Sequence, residues 1–117
     1  MKERLVVMNG TRVVQTENAP SHWENTGRIE KAGSVKPGVY SLYLATAPDK
    51  SKSYDGPLIH ADKESVYQQT GKAEFVKHAR SDFDKVPELG VAKHIEYTQG
   101  RAVVTAASAN LSRGVKR

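Results

Sequence analysis

The 117-residue sequence contains no cysteine, which excludes disulfide bridges, thiolate catalysis and cysteine-ligated zinc. It has no apolar run near the ~20 residues that a membrane-spanning helix needs. The opening "MKERLVVMNGTRVV" has too short an apolar stretch, broken by Asn9-Gly10, to be a secretory leader, so a cytoplasmic location is the expectation. Helical periodicity is almost absent, and so are the familiar chemical motifs. There is no H-E-x-x-H, no H-x-H pair, no EF-hand loop and no G-x-S-x-G elbow, and "TGKAEF" does not complete a phosphate-binding loop.

What is present belongs to an ordinary folded domain. Hydrophobic residues make up 38% and charged residues 26% of the chain, enough for one modest core and too much for a disordered segment. The net charge of +5 permits a nucleic-acid partner without requiring one. Its location matters: the end "NLSRGVKR" carries Arg113, Lys116 and Arg117 with no acid. Residues 1–105 read as a single β domain and 106–117 as a basic tail, frayed or forming a short helix.

Period-two patterning dominates. "RLVVMNGTRVVQ" sets two β-branched runs around Asn9-Gly10, a hairpin signature because both residues tolerate positive φ. "NAPSHWENTG" reads as a loop in which Trp23 plugs the core. Lys36-Pro37-Gly38 makes a turn into a strand with Tyr40, Leu42 and Leu44 on one face. "APDKSKSYDG" is a long polar loop, and "PLIHA", "VYQQ" and "EFVKHA" follow as strands of a meander. Ser81 is placed as N-cap of one helical turn before Pro87 and Gly90. A last hairpin turns at Gln99-Gly100 with Ile95, Tyr97 and Val103 inward. The expected fold is therefore mainly β: a small bent antiparallel sheet or SH3-like β-barrel with one short helical turn.

Two kinds of site compete in "IHADKESVYQQTGKAEFVKHARSDF". Imidazoles and carboxylates from His60, Asp62, His78, Asp82, Asp84 and His94 have the chemistry of a metal or acid–base site, but at no recognised spacing. The alternative is a binding face. Tyr67 and Gln69 share one side of a strand, with Lys72, Lys77, His78 and Arg80 on the next turn and strand. Cations of this kind meet phosphate and aromatic rings stack on bases in small β folds that bind nucleic acid. Arg113, Lys116 and Arg117 would add to such a surface, and residues 49–55 would form its rim. No cofactor and no metal are expected.

The chain from about Asn9 to Val104 resembles the KfrB-like domain family of conjugative plasmids, and also small plasmid-transfer proteins described as TraO-like. The resemblance rests on Lys36-Pro37-Gly38 with Tyr40 and Leu42-Tyr43, on Gly56 before a strand ending at His60, on Val66-Tyr67-Gln68-Gln69, and on the segment from His78 to Phe83. It implies a non-catalytic accessory protein of plasmid transfer or maintenance in the bacterial cytoplasm, its partner being plasmid DNA or a transfer or partition protein. A protein-interaction adaptor without DNA affinity is the alternative, working by groove or by strand addition at a sheet edge. A small metal-dependent enzyme using His60, Asp62 and His78 is the remote one.

Overall fold

A computed structural model describes residues 2–106, so Arg113, Lys116 and Arg117 lie outside the described residues. The chain folds into two antiparallel sheets of five strands each. The first contains β1 (Glu3–Met8), β2 (Thr11–Ala19), β3 (His22–Asn25), β4 (Glu30–Lys31) and β5 (Gly38–Tyr40). The expected hairpin stands: Asn9 and Gly10 both take positive φ, 52° and 77°, and Met8 pairs with Thr11. β3 returns along β2, and the short β4 covers the other end of the same strand.

The second sheet contains β6 (Tyr54–Ala61), β7 (Ser65–Gly71), β8 (Glu74–Ala79), β9 (Ala92–Thr98) and β10 (Arg101–Ala106), in the order β10-β9-β6-β7-β8. β6 serves two ladders in succession. Its first half, Tyr54 to Pro57, pairs with β9, and its second half, Leu58 to Ala61, pairs with β7. A bulge between Leu58 and His60 accompanies the change of partner and bends the sheet. Gly56 stands at the hand-over with φ 148°, where a Cβ would overlap the carbonyl of Gln69; only glycine lets β7 come that close.

The sheets face each other across one core and the second sheet carries another on its far side. Leu5, Val7, Ala32, Val35, Tyr40 and Leu42 pack against Ile59, Tyr67 and Phe75. Beyond the second sheet, Leu58, Val66, Phe83 and Ile95 form a separate cluster with Val86, Tyr97, Ala102 and Val104 at its margin. The consecutive residues Leu58 and Ile59 serve different cores. A sheet covered on both faces explains why β7 has four consecutive buried residues, Ser65 to Gln68, instead of an inside–outside alternation.

The bent antiparallel sheet of the sequence reading is present, whereas the barrel is not closed. β5 ends at Tyr40 and the chain turns through a 3₁₀ segment, Leu42–Leu44, where a continuing strand was expected. Leu42 still reaches the core, but Leu44 is 46% exposed. The chain then bonds to the edge of the other sheet through Thr46, whose N–H donates to the Phe75 carbonyl at 3.1 Å and whose carbonyl accepts from the Lys77 N–H at 2.8 Å, both on β8. The anticipated helical turn near Ser81 is a 3₁₀ turn, Arg80–Asp82, with Ala79 at its N-cap position and no side-chain cap. Trp23 lies on β3, half-buried on the outer face with the Arg4 guanidinium 4.2 Å from its ring centre, and takes no place in either core. Val103 is 41% exposed. The turn at Gln99-Gly100 pairs Val104 with Ile95 and Ala102 with Tyr97, so the even-numbered residues of β10 face inward.

Candidate partner-binding cleft

The members of the sequence-predicted face are split three ways. Tyr67 and His78 belong to opposite cores, 4% and 0% exposed, so neither ring is presented as a stacking platform. Lys72 sits at the β7–β8 turn and Arg80 just past the other end of that hairpin, about 20 Å away at ~3.3 Å per residue. Gln69 is half-buried and its amide approaches the Lys72 carbonyl at 3.4 Å. Lys77 is exposed, with its ammonium 5.8 Å from the Tyr67 ring centre. The expected rim at residues 49–55 lies over the second core instead: Asp49 folds the loop by accepting from the Ser51 N–H at 2.9 Å, and Lys50 reaches across to Asp82 at 3.1 Å and over the Tyr97 ring.

His78 has a structural assignment that can be followed proton by proton. The Gln68 side-chain NH₂ faces the carbonyls of Tyr54, Gly56 and Lys93, each at 3.1 Å, which makes its Oε1 the acceptor for His78. Nε2 of His78 therefore donates to Oε1 at 2.8 Å, and Nδ1 accepts from the Tyr97 hydroxyl at 2.7 Å. Phe83 and Tyr54 present their rings edge-on to the imidazole, and Tyr97 stacks on it. Burial pushes the His78 pKa down to about 4 and the Tyr97 pKa up to about 12, so both are neutral and the network is a hydrogen-bonded core.

His60 is the opposite case. It projects toward the side of Tyr67, the ring centres 5.7 Å apart, and lines a cleft of about 520 Å³ between the two sheets. The second sheet contributes His60, Ala61, Asp62, Lys63, Tyr67 and Arg80 to the lining. The first sheet and its connections contribute Glu3, Val14, Arg28, Glu30 and Leu42. Nδ1 of His60 is buried with no hydrogen-bond partner, a situation that costs about 1–3 kcal/mol in a folded protein. Burial holds its pKa below the usual histidine value, with Asp62 pulling weakly the other way. The sequence places His60 in a metal or acid–base set and not in a binding face, and it does not single out Arg28, Glu30 or Glu3, for which the only signal is charge in and beside short strands.

His60 and His78 face different cores, so the set His60, Asp62 and His78 does not converge. Among the described residues no group of three or more histidine, aspartate or glutamate side chains is gathered to hold a metal ion. His94 makes a surface pair with Asp55 at 2.7 Å, which raises its pKa, while Arg101 pairs with Asp84. The first joins β6 to β9, with Glu96 3.4 Å from the other ring nitrogen of His94, and the second ties a loop to β10. Among the described residues no helix is long and apolar enough to cross a membrane.

Comparison with known proteins bears on the same two sheets. Residues 53–106 match the KfrB domain, and this segment is the second sheet, β6 to β10. Protein TraB from Escherichia coli is 32% identical over 106 residues, covering 86% of this chain and 69% of that protein. The chain belongs to the KfrB-like domain family. This is the family that its sequence resembles. The match to TraB is too long to fit between residue 53 and the C-terminus, so it also takes in part of the first sheet. The cleft lies where the KfrB-matching sheet meets the rest of the chain.

Proposed function

We propose that this KfrB-family chain is a non-catalytic accessory protein of conjugative plasmid transfer or maintenance, and that it works by holding a protein of that machinery in the cleft between its sheets. Family membership supports the plasmid setting. The cleft carries the binding half of the reading: an open concavity of about 520 Å³ whose wall keeps a polar atom, His60 Nδ1, without a partner. Its lining mixes Arg28, Lys63 and Arg80 with Glu3, Glu30 and Asp62 and an apolar floor of Val14 and Leu42. That composition suits a polypeptide segment, with its alternating charge and apolar side chains, better than a string of phosphates.

A nucleic-acid reading keeps one observation in its favour, the net charge of +5. Of this, Arg113, Lys116 and Arg117 supply three charges, so the body from residue 1 to 106 carries only +2. The exposed Lys72, Lys77 and Arg80 would be its contribution.

The test uses the tagged full chain in plasmid-bearing and plasmid-free cells, with Gly27, which also lines the cleft, replaced in a Gly27→Trp variant to fill it. A plasmid-encoded protein that co-purifies with the parent chain and is lost with the variant supports the proposal. Retention of that partner by the variant overturns the assignment of the cleft. Binding to duplex DNA that falls about tenfold or more between 50 and 200 mM salt, with no protein partner, would select the nucleic-acid reading.

A further inference from the structure

Resting on the cleft as the docking site, we infer that it recognises a carboxylate: the occupant is an acidic segment of the partner protein, with a Glu or Asp side chain set against His60, Arg80, Arg28 and Lys63. The inference comes from asking which charges in the cleft are already engaged. Asp62 accepts the N–H groups of Glu64 and Ser65, each at 2.8 Å, and so is spent on closing the β6–β7 turn. Glu30 lies 3.8 Å from Arg12, whose Nε also holds the Lys31 carbonyl at 2.9 Å. Two of the three acids thus have protein partners.

The cations are in a different condition. Arg28 and Lys63 form no ion pair among the described residues. Arg80 gives one nitrogen, Nη1, to the carbonyl of Asp62 at 2.7 Å, which anchors the guanidinium at the cleft wall. Its Nε–Nη2 edge makes no hydrogen bond among the described residues, and that edge is the one that grips a carboxylate with two parallel bonds. Three cations, Arg28, Lys63 and Arg80, therefore stand against Glu3 and Asp62, whose bonds to neutral N–H groups leave its charge in place, so the balance of the cleft stays positive.

His60 adds a directional element. Its Nδ1 is shut off from solvent without a hydrogen bond among the described residues, so the ring, which lies beside Tyr67, has to turn to offer an Nδ1–H donor to a ligand in the cleft. Once the ring has turned, a carboxylate oxygen entering the cleft would meet that donor as well as the free edge of the guanidinium. A single carboxylate fits this arrangement, whereas a chain of phosphates would have to run past Glu3.

The experiment is a titration of the isotope-labelled full chain with three probes of equal length: a glutamate decamer, a glutamine decamer and a ten-nucleotide oligothymidylate. The glutamate decamer should shift the His60 ring nitrogens and the Arg80 Nε resonance, and the glutamine decamer should bind at least tenfold more weakly. Arg28→Glu and Lys63→Glu, both on exposed residues, should each weaken the glutamate decamer about tenfold or more, while Lys85→Glu outside the cleft should leave it unchanged. Equal binding of the glutamine decamer, indifference to both charge reversals, no binding of the glutamate decamer, or stronger binding of the oligonucleotide at the same residues would each overturn the inference. If Gly27→Trp releases a plasmid-encoded partner while the glutamate decamer does not bind, the carboxylate is refuted and the cleft remains the docking site. If Gly27→Trp releases nothing, the cleft itself is refuted.

Discussion

His60 and His78 stand on β6 and β8 of one sheet, within the same 25-residue stretch of sequence, and have opposite fates. His78 spends both ring nitrogens on Gln68 and Tyr97 inside the second core. His60 leaves Nδ1 without a partner at the edge of the first. Burial depresses both basicities, so a lowered pKa alone does not separate architecture from a site. Hydrogen-bond accounting does: a polar group whose needs the fold meets holds the fold together, and one whose needs it leaves open is available to something else.

The comparison can be broken most directly by truncating each ring. His78→Ala removes a buried side chain and strands both Gln68 Oε1 and the Tyr97 hydroxyl, so unfolding free energy should fall by about 4 kcal/mol. His60→Ala should cost less than about 1 kcal/mol, because no hydrogen bond to Nδ1 is lost. Equal costs in urea unfolding would mean the two histidines are equivalent. Next in size is the response to acid. The His78 pKa is held at about 4 in the fold against 6.5 unfolded, so the unfolded chain takes up the proton first. Its contribution is complete above pH 6.5 and is lost as pH falls toward 4, by about 3 kcal/mol in all. His60 titrates in the same direction and His94 in the opposite one. A stability profile flat from pH 7 to 4.5 would contradict the neutral, buried His78.

Tyr97→Phe should cost about 1–2 kcal/mol by leaving Nδ1 of His78 unpaired, a loss that urea unfolding at pH 7.5 would measure. Smallest is Lys50→Ala. Its contact with Asp82 is half-exposed on the lysine side, so less than about 1 kcal/mol is expected. A larger loss would show that the 49–55 loop holds the second core closed.

The hairpins at Asn9-Gly10 and Gln99-Gly100 were legible because two adjacent residues at positive φ dictate the turn locally. Family and fold class were legible too, from strings and from strand periodicity. The site was legible only in part. Tyr67 looked exposed because alternation assumes one dry face, and a sheet with a core on each side breaks that assumption. Patterning alone puts Val103 inward, whereas the two-residue turn at Gln99-Gly100 sets Val104 opposite Ile95, a parity that the turn itself encodes. Arg28 and Glu30 reach the cleft through tertiary packing of the first sheet, for which no local pattern exists. Trp23 went to the outer face because Arg4, across the sheet on β1, covers its ring, a long-range contact that hydrophobicity alone does not foresee.

The shared strand β6 has one more consequence. Because its first half is zipped to β9 and its second half to β7, a cut in the chain between Asp84 and Glu88 severs no ladder. The hairpin beyond the cut keeps a reserved berth on residues 54–57 and an anchor in Ile95. Severed at that point, the protein should behave as two complementary pieces that find each other again, with β6 as the template for their reunion.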